Sequence, residues 1–396
     1  MRKFTIVIPT KNRCETLKWT LKSCLDIDYA NYVIIVSDNC STDQTAEVVA
    51  EFNDPKIIYY RTSEKLGMAA NWEFGLSKVQ DGMVTILGDD DAFMPDSLKR
   101  IDNLLNENKL DAISWKQSFY RWPNNEFVRI KNLLSIPRTN EIKIRDCASM
   151  LQAVLNLEYY PADLPWLYAG FVDIKYVQRV KAKCNDTFFF SKIPDLYSSM
   201  VLASVIDKYI YSQLPLSIAG HSATSNGAAQ IQIKEEYSDQ NKKFIIESES
   251  HPFHPSLEFV HVYPILVWET FLQAREQGVM RGGIILNKQF LLDRAITDCI
   301  QLDFIKRDLP MLESIARRHH LNMSVPNNNL FISIRRIWGN LKNYLNIWTN
   351  NLFISCSDYN IFNVYEASKN YRKLEERSQS RIAILFNNFK VLFTNL

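Results

Sequence analysis

Three consecutive carboxylates, Asp89, Asp90 and Asp91, directly follow the apolar run Met83-Val84-Thr85-Ile86-Leu87-Gly88. Adjacent carboxylates repel, so three at the end of a buried strand call for a positive group. A hard divalent cation, Mn²⁺ or Mg²⁺, taking oxygen ligands and a substrate diphosphate, meets that need. These carboxylates are then expected to serve a cation rather than the core. The competing reading is an acidic turn before a helix starting near Pro95, which the helix dipole also favours. A second carboxylate, Asp195, stands in Ile193-Pro194-Asp195-Leu196-Tyr197-Ser198-Ser199, which opens an apolar helix through Met200, Val201, Ala203 and Val205. At that position an aspartate commonly caps a helix. His221 lies in the small polar stretch Pro215 to Gly227, expected to be a loop that could reach a diphosphate or give a cation a third ligand. A lone histidine in a loop is as readily a hydrogen-bonded structural residue.

The elements that must position these groups follow from periodicity. Short β-rich runs at Phe4 to Ile8, Val33 to Ser37, Lys56 to Arg61, Val84 to Gly88 and Ala112 to Tyr120 alternate with apolar residues at helical spacing. The helical sets are Leu17, Leu21, Cys24 and Leu25, then Ala46, Val49 and Ala50, then Leu98, Ile101 and Leu105. Ser41 with Gln44 three residues on predicts a capping box for the second helix. This alternation predicts an α/β fold with a mostly parallel sheet, helices on both faces and the ligand outside the carboxyl ends of the strands. The polar residues cluster at those ends: Pro9 to Arg13, Asp38 to Asp43, Glu64 to Gly67, and the aspartates. Their hydroxyls, amides and carboxylates suit a base and ribose, while Arg13 or Lys65 suits phosphate. For Asn39 or Ser41 taken singly, ordinary turn and cap chemistry is the competing reading.

The 396 residues, 46% hydrophobic and 23% charged, are enough for a large domain and a smaller one. A net charge of +2 gives no case for a nucleic-acid partner. Seven cysteines without CxxC pairing fit a reduced compartment better than a disulfide framework. Met1-Arg2-Lys3 and the apolar run ending at Pro9 read as a first strand rather than a signal peptide. With no apolar stretch of about 18 residues, a membrane-embedded polymer synthase is not expected.

Taken together, Ile8-Pro9-Thr10-Lys11-Asn12-Arg13, Asp38-Asn39-Cys40-Ser41-Thr42-Asp43, Gly67 with Asn71, and Gly88-Asp89-Asp90-Asp91 before Pro95-Asp96 resemble a family 2 glycosyltransferase of the nucleotide-sugar-binding GT-A fold. The resemblance implies that Pro9, Thr10, Asn12, Arg13, Asp38, Lys65, Gly67, Asn71, Asp89 and Asp90 line the donor site. It implies that the cluster Asp89-Asp90-Asp91 holds ribose and metal between its members, Asp91 and Asp89 keeping an Asp-x-Asp spacing for the metal, with His221 as a further ligand. Two departures stand out: Asn39 follows Asp38 where many members have a second acid, and Gly88 replaces the first aspartate of Asp-x-Asp-Asp when aligned on Pro95. The family inverts the anomeric centre, with a carboxylate deprotonating the acceptor hydroxyl and the metal offsetting leaving-group charge. The family position makes Asp195 the base, with Asp163 and Asp173 as weaker acceptor-side candidates. The aromatic segment Tyr159 to Tyr168 either stacks on acceptor sugars or packs in the core.

The resemblance sets a catalytic domain at 1–228, with a nucleotide half to 120 and an acceptor half after it. A helical extension follows at 229–327, carrying His251, His254, His261, His319 and His320 without metal-set spacing. A basic amphipathic helical tail follows at 328–396. The tail's apolar residues (Ile334, Ile337, Trp338, Leu341, Leu345, Trp348, Ile382, Leu385, Phe386, Phe389, Phe393) suit either an anionic bilayer surface or packing against the catalytic domain or a second subunit. The leading functional expectation is a cytoplasmic, metal-dependent inverting transferase, peripheral to the inner face of the membrane. It would extend a lipid-linked surface glycan such as an O-antigen or capsule precursor. A non-catalytic nucleotide-sugar-binding scaffold and a GT-A-like nucleotidyltransferase are the alternatives, the latter disfavoured because Pro9 to Arg13 contains no glycine.

Overall fold

The computed structural model describes residues 1–125, 128, 130–225, 252–302, 304–324 and 350–377. Its first half runs β1 (Phe4–Thr10), α1 (Cys14–Leu25), β2 (Tyr32–Asp38), α2 (Thr45–Phe52), β3 (Ile57–Arg61), α3 (Met68–Leu76), β4 (Met83–Ile86), β5 (Ala92–Phe93), α4 (Ser97–Asn108) and β6 (Ala112–Trp115). There follow β7 (Ser118–Arg121), β8 (Leu133–Pro137), β9 (Ile142–Asp146), α5 (Cys147–Leu155), β10 (Gly170–Asp173), α6 (Ile174–Lys181), α7 (Pro194–Val205), β11 (Lys208–Ser212) and β12 (Ser217–His221). Beyond these lie α8 (Tyr263–Glu276), α9 (Lys288–Gln301), α10 (Ile305–Arg318), β13 (Asn351–Ser355) and α11 (Val364–Arg377).

The main sheet has the order β3-β2-β1-β4-β10-β6-β11-β9. Strands β3, β2, β1 and β4 are parallel, and β10 runs against them. Period-two alternation divides the strand residues between two layers. Phe4, Ile6, Ile8, Ile34 and Val36 face Leu17 and Leu21 of α1 and Leu98, Ile101 and Leu105 of α4. Val7, Ile35, Val84 and Ile86 face Trp72 and Leu76 of α3, Leu151 of α5, Val177 of α6 and Met200 of α7. The expected α/β class, with a mostly parallel sheet and helices on both faces, is therefore present.

Three local expectations are corrected. The run from Ala112 to Tyr120 is not one strand: it breaks at Lys116 and Gln117, and β7 enters a second sheet of order β13-β8-β7-β12-β5. Residues 217–221, expected to be loop, form β12, parallel to β7 and antiparallel to β5. The Ser41 capping box does not form, because Ser41 Oγ accepts the Asn12 N–H at 2.9 Å. Asp43 instead accepts from the Thr45 N–H at 3.1 Å, in the first turn of α2.

The helical extension is present as α8, α9 and α10, which share a core of Ile265, Trp268, Leu292, Ile296 and Leu312. Over residues 350–377 the C-terminal segment packs on the second sheet. β13 pairs antiparallel with β8, and α11 buries Val364, Ala367, Tyr371 and Leu374 against Ala92, Met94, Tyr120, Trp122 and Ile218. Tyr371 Oη lies 2.6 Å from Ser118 Oγ, both buried. The tail residues Ile334 to Trp348 and Ile382 to Phe393 lie outside the described residues, as do Asn226, Gly227 and His251. Among the described residues, no helix is long and apolar enough to cross a membrane.

Candidate active site

Parallel register brings the first three strand ends level, since Thr10 pairs with Asp38 and Asp38 with Arg61. The loops beyond them are stitched together by side chains. Asn12, in the left-handed region at φ 53°, accepts the Thr42 N–H through Oδ1 at 2.6 Å. Asp43 accepts the Cys14 N–H at 3.0 Å. Asp38 is fully buried and takes hydrogen bonds from the Ser41 N–H at 2.9 Å, from the Tyr59 hydroxyl and from Arg61 at 3.4 Å.

Asn39, the departure noted after Asp38, behaves like a peptide unit. Its Oδ1 accepts the Leu66 N–H at 2.7 Å and its Nδ2 donates to the Leu66 carbonyl at 2.8 Å. It thereby fixes the loop that carries exposed Lys65 and buried Gly67 to the start of α3. Asn71 is buried, accepting from Ser37 Oγ at 2.8 Å and donating to the Ser37 carbonyl at 3.2 Å. Of the expected donor-site residues, Asn71 pins α3 to β2 and Asn12 ties two loops together. Pro9, Thr10 and Arg13 stand at the end of β1, beside the aspartates.

The three aspartates are held in three different ways. Asp89 accepts from Thr10 Oγ1 at 2.7 Å and from the Arg13 guanidinium at 2.9 Å. Arg13 also donates to the carbonyl of Thr224, joining the β1 and β12 loops. Asp90 accepts from Ser222 Oγ at 2.7 Å, and its carbonyl accepts the Trp122 indole N–H at 3.2 Å. Asp91 is completely buried and accepts from Tyr168 Oη at 2.7 Å, the Gly220 N–H at 2.7 Å and the Gly88 N–H at 3.1 Å. Burial, followed by the Asp90 charge, pushes the Asp91 carboxyl up to about 7. Burial also raises Asp90.

Both Asp91 oxygens thus accept from the protein's own donors. Gly88, the second departure, now has a physical reason: a Cβ there would lie 2.8 Å from both Asp91 Oδ2 and Tyr168 Oη. Gly220 has a stronger one, since its Cβ would fall 1.8 Å from the Asp90 carbonyl oxygen. Only glycine lets β12 come this close to the acidic turn.

His221 is not turned to the carboxylates: its ring stacks obliquely 5.3 Å from Phe119, while its neighbours Gly220 and Ser222 contact Asp91 and Asp90. Burial and the nearby Arg121 charge lower its pKa. Among the described residues, no group of three or more His, Cys, Asp or Glu forms a cage for a metal. Ser222 engages Asp90 Oδ2, which leaves Oδ1 for a cation. Mg²⁺ and Mn²⁺ are commonly held by one or two carboxylates plus substrate phosphates, and the residues fit a cation of that kind through Asp90.

Asp195 lies in the first turn of α7, half-buried, and accepts the Leu196 N–H at 2.9 Å. Burial raises its carboxyl above the usual carboxylate range. Tyr168, whose hydroxyl holds Asp91, is also within electrostatic reach of the Asp195 charge. Tyr168 stacks on Trp72 at 6.0 Å and meets Trp166 edge-on at 5.7 Å. Its contact with Asp91 carries no sequence signal beyond its place in an aromatic run. Asp163 is occupied by Arg145 and the Tyr160 N–H, and Asp173 caps α6 through the Lys175 N–H. Both are engaged in local structural contacts.

Residues 5–155 match the family described as Glycosyl transferase family 2. This part of the chain belongs to the family 2 glycosyltransferases. Curated relatives include the GalNAc(5)-diNAcBac-PP-undecaprenol beta-1,3-glucosyltransferase of Campylobacter jejuni, 34% identical over 27% of this chain and 36% of its own length. The putative colanic acid biosynthesis glycosyl transferase WcaA of Escherichia coli is 33% identical over 24% of this chain and 34% of its own. The abequosyltransferase RfbV of Salmonella typhimurium is 37% identical over 25% and 31%. The chain thus spans about a third of the length of these relatives. The family 2 match covers the strand ends of β1 to β4 and stops before Tyr168, Asp195 and β12.

Proposed function

We propose that this chain transfers a sugar, with inversion, from a nucleotide-diphosphate sugar to a hydroxyl of a glycan acceptor. The observation that carries this reading is the convergence of Thr10, Arg13, Asp89 and Asp90 at the carboxyl edge, where Tyr168 is within electrostatic reach of a carboxylate of raised pKa. Pro9, Thr10, Asn12 and Asp38 border the space for base and ribose. Arg13 and Lys65 offer positive charge to the diphosphate. A divalent metal ion bound through Asp90 would offset charge on the departing diphosphate. Asp195 takes the proton of the acceptor hydroxyl as it attacks the anomeric carbon, and the raised pKa makes it a better proton acceptor than a free aspartate. The relative that bears an undecaprenol diphosphate-linked glycan in its name supports a lipid-linked surface-glycan precursor as the acceptor. An enzyme with such an acceptor would work at the cytoplasmic face of the membrane.

A thermal-shift panel of nucleoside diphosphates and their sugars, with and without Mn²⁺, tests the donor half of the reading, since a ligand of the folded state raises its stability. Asp195→Asn is expected to keep donor affinity and lose about 10² to 10⁴ in turnover. Lost affinity with turnover retained at saturation would move Asp195 into the donor site.

A further inference from the structure

The turn that carries Asp195 is held from outside by two carboxylates. Glu73 on α3 accepts the N–H groups of Phe188 at 2.8 Å and Phe189 at 3.1 Å, and pairs with Lys181 at 2.9 Å. Glu269 on α8 accepts the Ser191 hydroxyl at 2.8 Å. Ser191 Oγ in turn accepts the Ile193 N–H at 3.3 Å, two residues before Asp195, and the Tyr197 N–H then closes the first turn of α7 on the Ile193 carbonyl. A continuous chain therefore runs from Glu269 through Ser191 to the residue from which α7 starts.

Glu269 is fully buried, as are Ser191 and Tyr197. A buried carboxylate is costly to keep charged, and a glutamine could accept the same serine hydroxyl. The other Glu269 oxygen takes Gln273 Nε2 at 2.9 Å. Glu269 belongs to the extension after residue 252, outside the segment that matches the family. We propose that Glu269 is a positioning residue for Asp195: acting through Ser191, it fixes the turn that sets the base, so that the helical extension governs the chemistry of the catalytic half. This inference rests on the reading of Asp195 as the base.

The test uses the full chain with Glu269→Ala, Glu269→Gln and Ser191→Ala. Amide hydrogen exchange follows Ile193 and Tyr197, and ¹³C NMR follows the Asp195 carboxyl, assigned from Asp195→Asn. Donor affinity is read by titration with UDP and GDP in the presence of Mn²⁺. The expected result is at least tenfold faster exchange at Ile193 and a displaced Asp195 titration in Glu269→Ala and Ser191→Ala. Nucleotide affinity should stay within about twofold, and Glu269→Gln should restore most of the wild-type behaviour. If Glu269→Ala does not fold, Ser191→Ala and Glu269→Gln carry the same comparison. Unchanged exchange at Ile193 and an unmoved Asp195 titration in Ser191→Ala would overturn the proposal. So would nucleotide affinity that falls as far as the Asp195 signal shifts. Failure of the base reading shows separately, as turnover that survives Asp195→Asn while the amide and NMR signals still respond to Glu269.

Discussion

A methyl group at position 220 would meet backbone, the Asp90 carbonyl, at 1.8 Å. One at position 88 would meet only side-chain ends, at 2.8 Å. Backbone in a packed turn cannot yield as side-chain ends can, so the two alanine substitutions should separate. Gly220→Ala is expected to cost about 3 kcal/mol or more and to remove nucleotide binding, and Gly88→Ala about 1 to 2 kcal/mol, both read from urea unfolding. Equal costs would mean that β12 does not press on the acidic turn. Asp91 makes a second, pH-linked case. Its folded pKa of about 7 lies above the unfolded value near 4, so its contribution to stability is fully present below about pH 4 and is lost as pH rises through 7. Relative to Asp91→Asn, wild-type stability should therefore fall as pH rises from 4 to 8, measured by denaturant melts. The acidic triplet was legible in the sequence because three adjacent carboxylates are rare. Its partners Tyr168, Gly220 and Ser222 were not, because they arrive from strands far along the chain and no local spacing ties them to it.

At the scale of elements, β1 to β4 were legible because each is a short β-rich run set between helical patterns. The strands of the second sheet were not. β12 is five residues among small polar neighbours, and β7 follows β6 after only Lys116 and Gln117, too short an interruption to announce a second sheet. The same difficulty hid β13, whose apolar residues are matched by β8 rather than by anything nearby in sequence. This pairing changes what truncation should do. A chain ending at residue 349 lacks β13 and α11 and exposes Tyr120, Trp122, Leu134 and Ile218, all buried in the intact fold. It is expected to aggregate or to lose nucleotide binding, assayed by light scattering and UDP titration. A soluble truncated chain that binds nucleotide as the full chain does would mean that α11 is dispensable to the site.

For the molecule as a whole, the candidate site is assembled from both ends of the described chain. The two faces of the main sheet are closed by local βα connections. The third core, under β12 and the acidic turn, waits for α11: Ser118 meets its partner Tyr371 only across 253 residues of sequence. On the ribosome this separation becomes time. At about 5 to 20 residues per second, synthesis of that interval takes roughly 13 to 50 s, during which the nascent chain carries its acidic turn with one wall missing and several aromatic side chains uncovered. A chain stalled after β12 is therefore expected to be held by chaperones and to gain no protection from protease when UDP and Mn²⁺ are added, whereas a chain released after α11 should gain it. Donor chemistry would thus begin only once the polypeptide has cleared the exit tunnel past Tyr371, which keeps half-made enzyme from consuming activated sugar.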